Sequence, residues 1–336
     1  MARIALNGLG RIGKLVLRAF EAEGLGHELV LINDVVGDAA AHAHFLEFDS
    51  IHGRWGARLE ADGDRLAIND RRVRVACEKR IEDLPLTDLG VDLVVDCTGV
   101  FKTAEKIAPY FAAGVKRVAV SAPVKDGGAL NLVWGVNQHL FDPAAHRIVT
   151  AASCTTNCLA PVVKVVHEAL GIRHGSITTI HCVTNTQTIL DRPMKDARRA
   201  RSALTSMIPT TTGSATAITL IYPELKGRLN GHAVRVPLVT ASITDCVFEV
   251  ERATTVEEVN ALFAAAADGP LKGVLGFETR PLVGADYLND TRSGVVDAGS
   301  TMVVNDTQVK VYAWYDNEMG YAFRLADVVR MMAAAT

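Results

Sequence analysis

The stretch Asn7-Gly8-Leu9-Gly10-Arg11-Ile12-Gly13 decides the fold. Residues 2–6 ahead of it read as a short buried strand, and a helix is expected from about Arg11 to Glu23. A G-x-G-x-x-G pattern at a strand-to-helix turn has a physical reading. Gly8 allows the tight turn, Gly10 lets the backbone approach a pyrophosphate, and Gly13 lets helix and strand pack closely. The pyrophosphate would rest on the N–H groups of the helix N-terminus. The pattern alone is weak evidence, and its surroundings strengthen it. A second strand, 28–32, runs out at Asn33-Asp34, about 20 residues past the last glycine. A carboxylate there can bond a ribose diol and repel a 2′-phosphate, so Asp34 points to NAD rather than NADP. The plain alternative for Asp34 is a helix cap or turn acid.

Later segments extend the same sheet. Val91–Cys97 is the clearest buried parallel strand, and it ends at Thr98-Gly99. Lys116–Val120 ends at Ser121, and Arg147–Thr150 runs into Ser153-Cys154. In an open parallel sheet ligands gather at the carboxyl ends of the strands. Gly8, Asp34, Thr98, Ser121 and Cys154 all fall at such ends. A short antiparallel insert is expected over 58–59, 65–68 and 72–77. After about residue 172 the chain changes character. Runs at 176–183, 234–238, 243–250, 302–304 and 309–314 are β-branched and partly alternating, with fewer helices between them. The expected fold class is α/β: a Rossmann-type doubly wound parallel sheet, plus an α+β catalytic domain with a mostly antiparallel sheet. The expected domains are 1–152, completed by a C-terminal helix 317–336, and 153–316.

Two domains suit the 336 residues. A composition of 49% hydrophobic and 22% charged residues suits packed soluble domains rather than disorder. The net charge of -3 argues against nucleic-acid binding driven by bulk charge. No apolar run approaches the roughly 20 residues of a membrane span, and the opening residues run straight into a strand. The six cysteines lack metal-ligand spacing. A cytoplasmic protein with reduced thiols and no metal is expected.

Cys154 sits where a strand hands over to a helix, and the positive helix end favours thiolate over thiol. A thiolate nucleophile needs a basic or cationic partner, and His181 closes the strand Ile177–His181. From spacing alone a structural histidine serves equally well. The other histidines, including His42 and His52, read as surface or capping residues. Hydroxyls recur at Ser153/Thr155, Thr184/Thr186 and Thr210–Thr212 before Gly213, with Arg235 in a short apolar run. Hydroxyls and arginine are what a phosphate site wants. Beside a nucleophile they suggest a phosphorylated carbonyl substrate.

Together these motifs resemble the phosphorylating glyceraldehyde-3-phosphate dehydrogenases over essentially the whole chain. The most specific marks are Ala152–Pro161, Asn7–Gly13 and Trp314–Glu318, supported by His181–Gln187 and His232–Pro237. The resemblance implies Cys154 as nucleophile, His181 as its base, and Gly8, Gly10, Arg11, Ile12, Gly13, Asp34, Thr98 and Ser121 around NAD. It implies that Asn317 fixes the nicotinamide carboxamide. Thr184 and Arg235 would hold the phosphate of glyceraldehyde 3-phosphate. Ser153, Thr155, Thr212 and Gly213 would hold the attacking inorganic phosphate. The loop 186–205 would cross a subunit interface in a homotetramer. The chain departs from common glycolytic forms at Cys182-Val183, Thr216 and Met319. Its segments 46–55 and 184–188 resemble a bacterial subgroup linked to arsenate resistance, in which arsenate replaces phosphate. The closest alternative is an erythrose-4-phosphate dehydrogenase. An alternative of another class is a dinucleotide-binding regulatory or nucleic-acid-binding protein, supported only by the basic loop 192–201.

Overall fold

The computed structural model describes residues 2–336. It forms two compact units. One runs to Trp134 and adds Gln138–Ser153 and Ala322–Thr336; the other holds Gly135–Asn137 and Cys154–Tyr321.

The first unit is built on a nine-stranded sheet among the described residues. Its strand order is 130–131, 148–150, 117–120, 93–96, 4–7, 29–33, 71–76, 65–68 and 59–62. All pairings are parallel as far as 71–76; the last two strands add antiparallel. The central strands Ile4–Asn7, Leu93–Asp96 and Arg117–Val120 are buried at every position, as strands covered on both faces must be. The chain starts at Ile4–Asn7, moves outward through 29–33, then returns to the other side at 93–96. The strand order therefore reverses between Ile4–Asn7 and Leu93–Asp96, and such a reversal opens a crevice at the strands' carboxyl ends. The glycine turn lies there. A Cβ on Gly8 (φ 94°) would lie 2.7 Å from the backbone of Cys97 and Thr98, and one on Gly13 would lie 1.9 Å from the Gly8 oxygen. The insert's third strand, Arg71–Ala76, is not a separate ribbon: it pairs in parallel with Leu29–Asn33 and joins the insert to the main sheet.

The second unit carries an eight-stranded mixed sheet among the described residues, with the helix Cys154–Leu170 packed against it. Most pairings are antiparallel. The exceptions are 172–181 with 229–235 and 275–278 with 294–297. One strand departs from expectation. The segment expected at 234–238 instead occupies Leu229–Arg235. Pro237 cannot donate to a ladder, and the polar residues Asn230 and His232 sit on the strand's exposed face, where alternation admits them. The corrected strand pairs His181 directly with Arg235 at the end of the parallel ladder.

Gly13→Ala should destabilise the protein by at least about 2 kcal/mol, because the obstacle is rigid backbone rather than a side chain that can turn away. Denaturant unfolding of the variant measures this; a change within about 0.5 kcal/mol would contradict the close packing described.

Candidate active site

The strand Ile148–Thr150 ends in a turn in which Ala152 adopts φ 50° and its N–H donates to Thr150 Oγ1 at 3.0 Å. A non-glycine residue in the left-handed region is strained and marks a turn held by its surroundings. Two residues later Cys154 opens the helix, half-buried. Its Sγ lies 3.6 Å from His181 Nε2 and 4.0 Å from Thr155 Oγ1. His181 is 3% exposed. Its Nδ1 lies 2.8 Å from the carbonyl oxygen of Cys182 and 2.6 Å from Arg235 Nη1, which also donates to that carbonyl at 3.0 Å. The carbonyl can only accept, so it favours the Nδ1–H tautomer and leaves the Nε2 lone pair toward the sulfur. With the other tautomer, Nδ1 accepts from Arg235 and Nε2–H can donate to a thiolate. The geometry thus serves both ends of a proton transfer.

Electrostatics modify the expectation of a resting thiolate. Burial raises the Cys154 thiol above its ordinary value, against the pull of Arg235, the Thr155 hydroxyl and backbone N–H groups. Burial, and then the Arg235 charge, lowers His181 to about 4. Both shifts favour the neutral thiol–imidazole pair over the ion pair. The helix end is too weak to outweigh removal of the sulfur from water.

Thr155 is buried, and its hydroxyl meets Tyr315 Oη at 3.0 Å; that phenol also meets Thr179 Oγ1 at 2.7 Å. The Tyr315 ring stands edge-on to His181. Arg235 Nε is buried without a hydrogen-bond partner, a donor suited to an incoming anion. Thr184 Oγ1 pairs with Thr186 Oγ1 at 2.9 Å. Thr212 Oγ1 accepts from Ser214 N at 3.3 Å, at the start of the helix Ser214–Ile221, with Gly213 exposed beside it. Ser153 is half-buried next to Cys154. Cys154, His181, Thr155 and Arg235 therefore gather at one place, whereas the hydroxyls of Thr184 and Thr212 bond to their own neighbours. Asn317 is buried, and its Oδ1 accepts from Cys182 Sγ at 3.0 Å and Ser242 Oγ at 3.2 Å.

In the first unit the glycine turn fits a dinucleotide. The helix Arg11–Ala22 starts at Gly10 with no side-chain cap, and a Cβ on Gly10 would meet only open space. A glycine at that position lets a pyrophosphate come close to the helix N-terminus. Asp34 Oδ2 accepts from Leu9 N at 2.6 Å, so the carboxylate also orders the turn. Each carboxylate oxygen keeps a second acceptor site for a ribose hydroxyl. Arg11 directs its guanidinium to Asp49 at 2.5 Å. Ile12 is half-buried. Thr98 Oγ1 donates to Asp96 at 2.8 Å, and Ser121 N donates to the Asp96 carbonyl at 2.9 Å.

Nothing in the sequence alone gives Tyr315, Thr179, Cys182 and Ser242 a role in the site. The alternation of Gln308–Tyr315 signals that Tyr315 turns inward, but not what it meets there. His42 and His52 are corrections: they are 5% and 6% exposed, not surface residues. His42 shares the inward face of the helix Ala39–Glu47 with Ala39 and Leu46, at helical spacing. Among the described residues no cluster suited to a metal ion occurs, and no helix is long and apolar enough to cross a membrane.

Comparison with known proteins bears on the same regions. Residues 2–104 match the NAD binding domain of glyceraldehyde 3-phosphate dehydrogenase, and residues 153–317 match its C-terminal domain. The chain is 58% identical over 333 residues to glyceraldehyde-3-phosphate dehydrogenase 3 of Nostoc sp., covering 98% of each chain. It is 48% identical over 332 residues to glyceraldehyde-3-phosphate dehydrogenase of Geobacillus stearothermophilus, covering 99% of this chain and 98% of the relative.

The His181 shift predicts a pH dependence of stability. Unfolded, the imidazole titrates near 6.5; folded, near 4. Between these values the unfolded chain binds more protons. Stability is therefore whole above about pH 6.5 and falls as the pH drops toward 4, by on the order of 3 kcal/mol. In urea unfolding, His181→Asn should lose that part of the slope. An identical slope in the variant would show that His181 is not the group responsible.

Proposed function

Because the chain belongs to the glyceraldehyde-3-phosphate dehydrogenase family, we propose that it oxidises glyceraldehyde 3-phosphate through a Cys154 thioester, with inorganic phosphate as second substrate. The observation that carries this reading is the Cys154 sulfur 3.6 Å from His181 Nε2, with Arg235 at the far side of the imidazole. His181 takes the thiol proton as the sulfur attacks the aldehyde carbon. The Cys154 backbone N–H and His181 steady the oxyanion that forms, and His181 returns its proton to that oxygen to give the neutral thiohemiacetal. His181 then accepts the hydroxyl proton as the carbon is oxidised to the thioester. NAD, when bound, supplies the hydride acceptor. Gly8, Gly10, Arg11, Ile12, Gly13, Asp34, Thr98 and Ser121 would hold it, and Asn317 would bond its carboxamide. Phosphate attack on the thioester releases the acyl phosphate and returns the sulfur.

The anion sites follow from the same residues. Thr184 and Arg235 would take the substrate's own phosphate. Ser153, Thr155, Thr212 and Gly213 would take the attacking one, with Arg235 serving both. A phosphate dianion at Arg235 offsets the charge that lowers His181, so substrate binding itself would make the imidazole a better base. Arsenate has the shape and charge of phosphate and would give 1-arseno-3-phosphoglycerate at the same site. Segments 46–55 and 184–188 support that subtype by resemblance alone. Residues 1–152 with 317–336 would form the nucleotide-binding domain, and 153–316 the catalytic one. A homotetramer would cover Ile189, Leu190, Leu204 and Met207, which a single chain leaves exposed. Six free cysteines suit a reducing cytoplasm.

Cys154→Ser should lower aldehyde oxidation by at least about 10³-fold, because a neutral hydroxyl is a far weaker nucleophile than a thiol that His181 can ionise. Full activity in the variant would refute the thioester route. Acyl-phosphate formation should require phosphate or arsenate and glyceraldehyde 3-phosphate. Phosphate-independent turnover on erythrose 4-phosphate would favour the alternative dehydrogenase. Initial rates should favour NAD over NADP, and Asp34→Gly should narrow that preference by about tenfold or more.

A further inference from the structure

Residue 182 links two parts of the site. Its carbonyl receives His181 Nδ1 at 2.8 Å and Arg235 Nη1 at 3.0 Å. Its side chain, fully buried, points to a different partner: Sγ lies 3.0 Å from Asn317 Oδ1 and 3.4 Å from the Val183 carbonyl. Ser242, also buried, closes a ring. Its Oγ accepts from the Cys182 N–H at 3.2 Å, which leaves its own hydrogen to donate to Asn317 Oδ1 at 3.2 Å. Asn317 Oδ1 thus receives two donors, one just past the strand Ile172–His181 and one at the start of the strand Ser242–Val250, whereas its Nδ2 has no protein acceptor among the described residues. An amide side chain has two ends that differ only in what they can bond. Two converging donors choose the end that faces inward.

We propose that Cys182 is a positioning residue, whose thiol acts with the Ser242 hydroxyl to pin the Asn317 amide so that Nδ2 is presented to a ligand carbonyl. The inference rests on the reading of Asn317 as the residue that bonds the nicotinamide carboxamide. Burial supports it by pushing the Cys182 thiol up to about 12, so the sulfur keeps the hydrogen it donates throughout the working range. Without that donor the amide can turn, and part of the binding is then spent on reorienting it.

Calorimetric titration with NAD and with ADP-ribose, which lacks the nicotinamide, tests this directly. Cys182→Ala should weaken NAD binding about fivefold, the effect of one ordinary hydrogen bond, and leave ADP-ribose binding unchanged. Cys182→Ser restores a donor and should return NAD affinity to within about twofold of the parent. Ser242→Ala should repeat the selective loss if Cys182→Ala folds poorly. Equal weakening of both ligands, or no change in either, would overturn the positioning role. If Asn317→Ala loses the NAD advantage over ADP-ribose and Cys182→Ala keeps it, the inference fails and the dehydrogenase reading stands. If the parent protein binds NAD no more tightly than ADP-ribose, the assignment of Asn317 falls and takes the inference with it.

Discussion

The carbonyl oxygen of Cys182 holds the second unit's site in one arrangement. It receives the imidazole of His181 and the guanidinium of Arg235, and those two residues stand side by side because their strands run parallel in register. Parallel pairing brings both strand ends to the same edge of the sheet, as antiparallel pairing would not. The imidazole is thereby aimed at Cys154, and a fixed positive charge is set behind it. The consequence is electrostatic as much as geometric. A buried imidazole beside an arginine stays neutral, and a neutral imidazole can receive a proton.

A comparable constraint operates in the first unit, beneath the glycine turn. The Asp96 carboxyl is 1% exposed at the end of its strand, and burial lifts it to about 6. Tyr110 Oη donates to it at 2.7 Å, Asn7 Nδ2 donates to that phenol, and Asn33 Nδ2 donates to Asn7 Oδ1 at 2.8 Å. This chain of bonds ties the ends of three neighbouring parallel strands together, so the turns that follow them leave from fixed points. Buried polar groups are tolerated only when satisfied, and once satisfied they specify one arrangement. The Asp34 carboxylate adds the last tie, to Leu9 N within the glycine turn.

Much of this was legible in the sequence. The glycine spacing, the buried runs before each turn and the placement of Cys154 after a strand were enough for the fold class. Local rules cover such features, because glycine needs and strand burial act within a few residues. The strand Leu229–Arg235 is hard to read from the sequence because its polar face resembles a loop until a partner strand covers the other face. His42 reads as exposed because alanines and Phe45 make the helix Ala39–Glu47 apolar on several sides, so the spacing of Ala39 and Leu46 does not single out the inward face. Thr179 and Cys182 lie in and just after one strand, Ser242 and Tyr315 on two others, and their hydroxyls and thiol acquire meaning only once those strands pair.

The sequence by itself determined which residue types stand at the strand ends: glycines where backbone must approach backbone, a carboxylate after the second strand, a thiol at a helix start. Only the tertiary structure decided their chemistry. Whether Cys154 rests as thiol or thiolate, and whether His181 carries a proton, depends on water excluded and on an arginine brought in from a distant strand. Such terms are sums over neighbours in space. Neighbours in space are what the order of residues along a chain leaves open until the chain has folded.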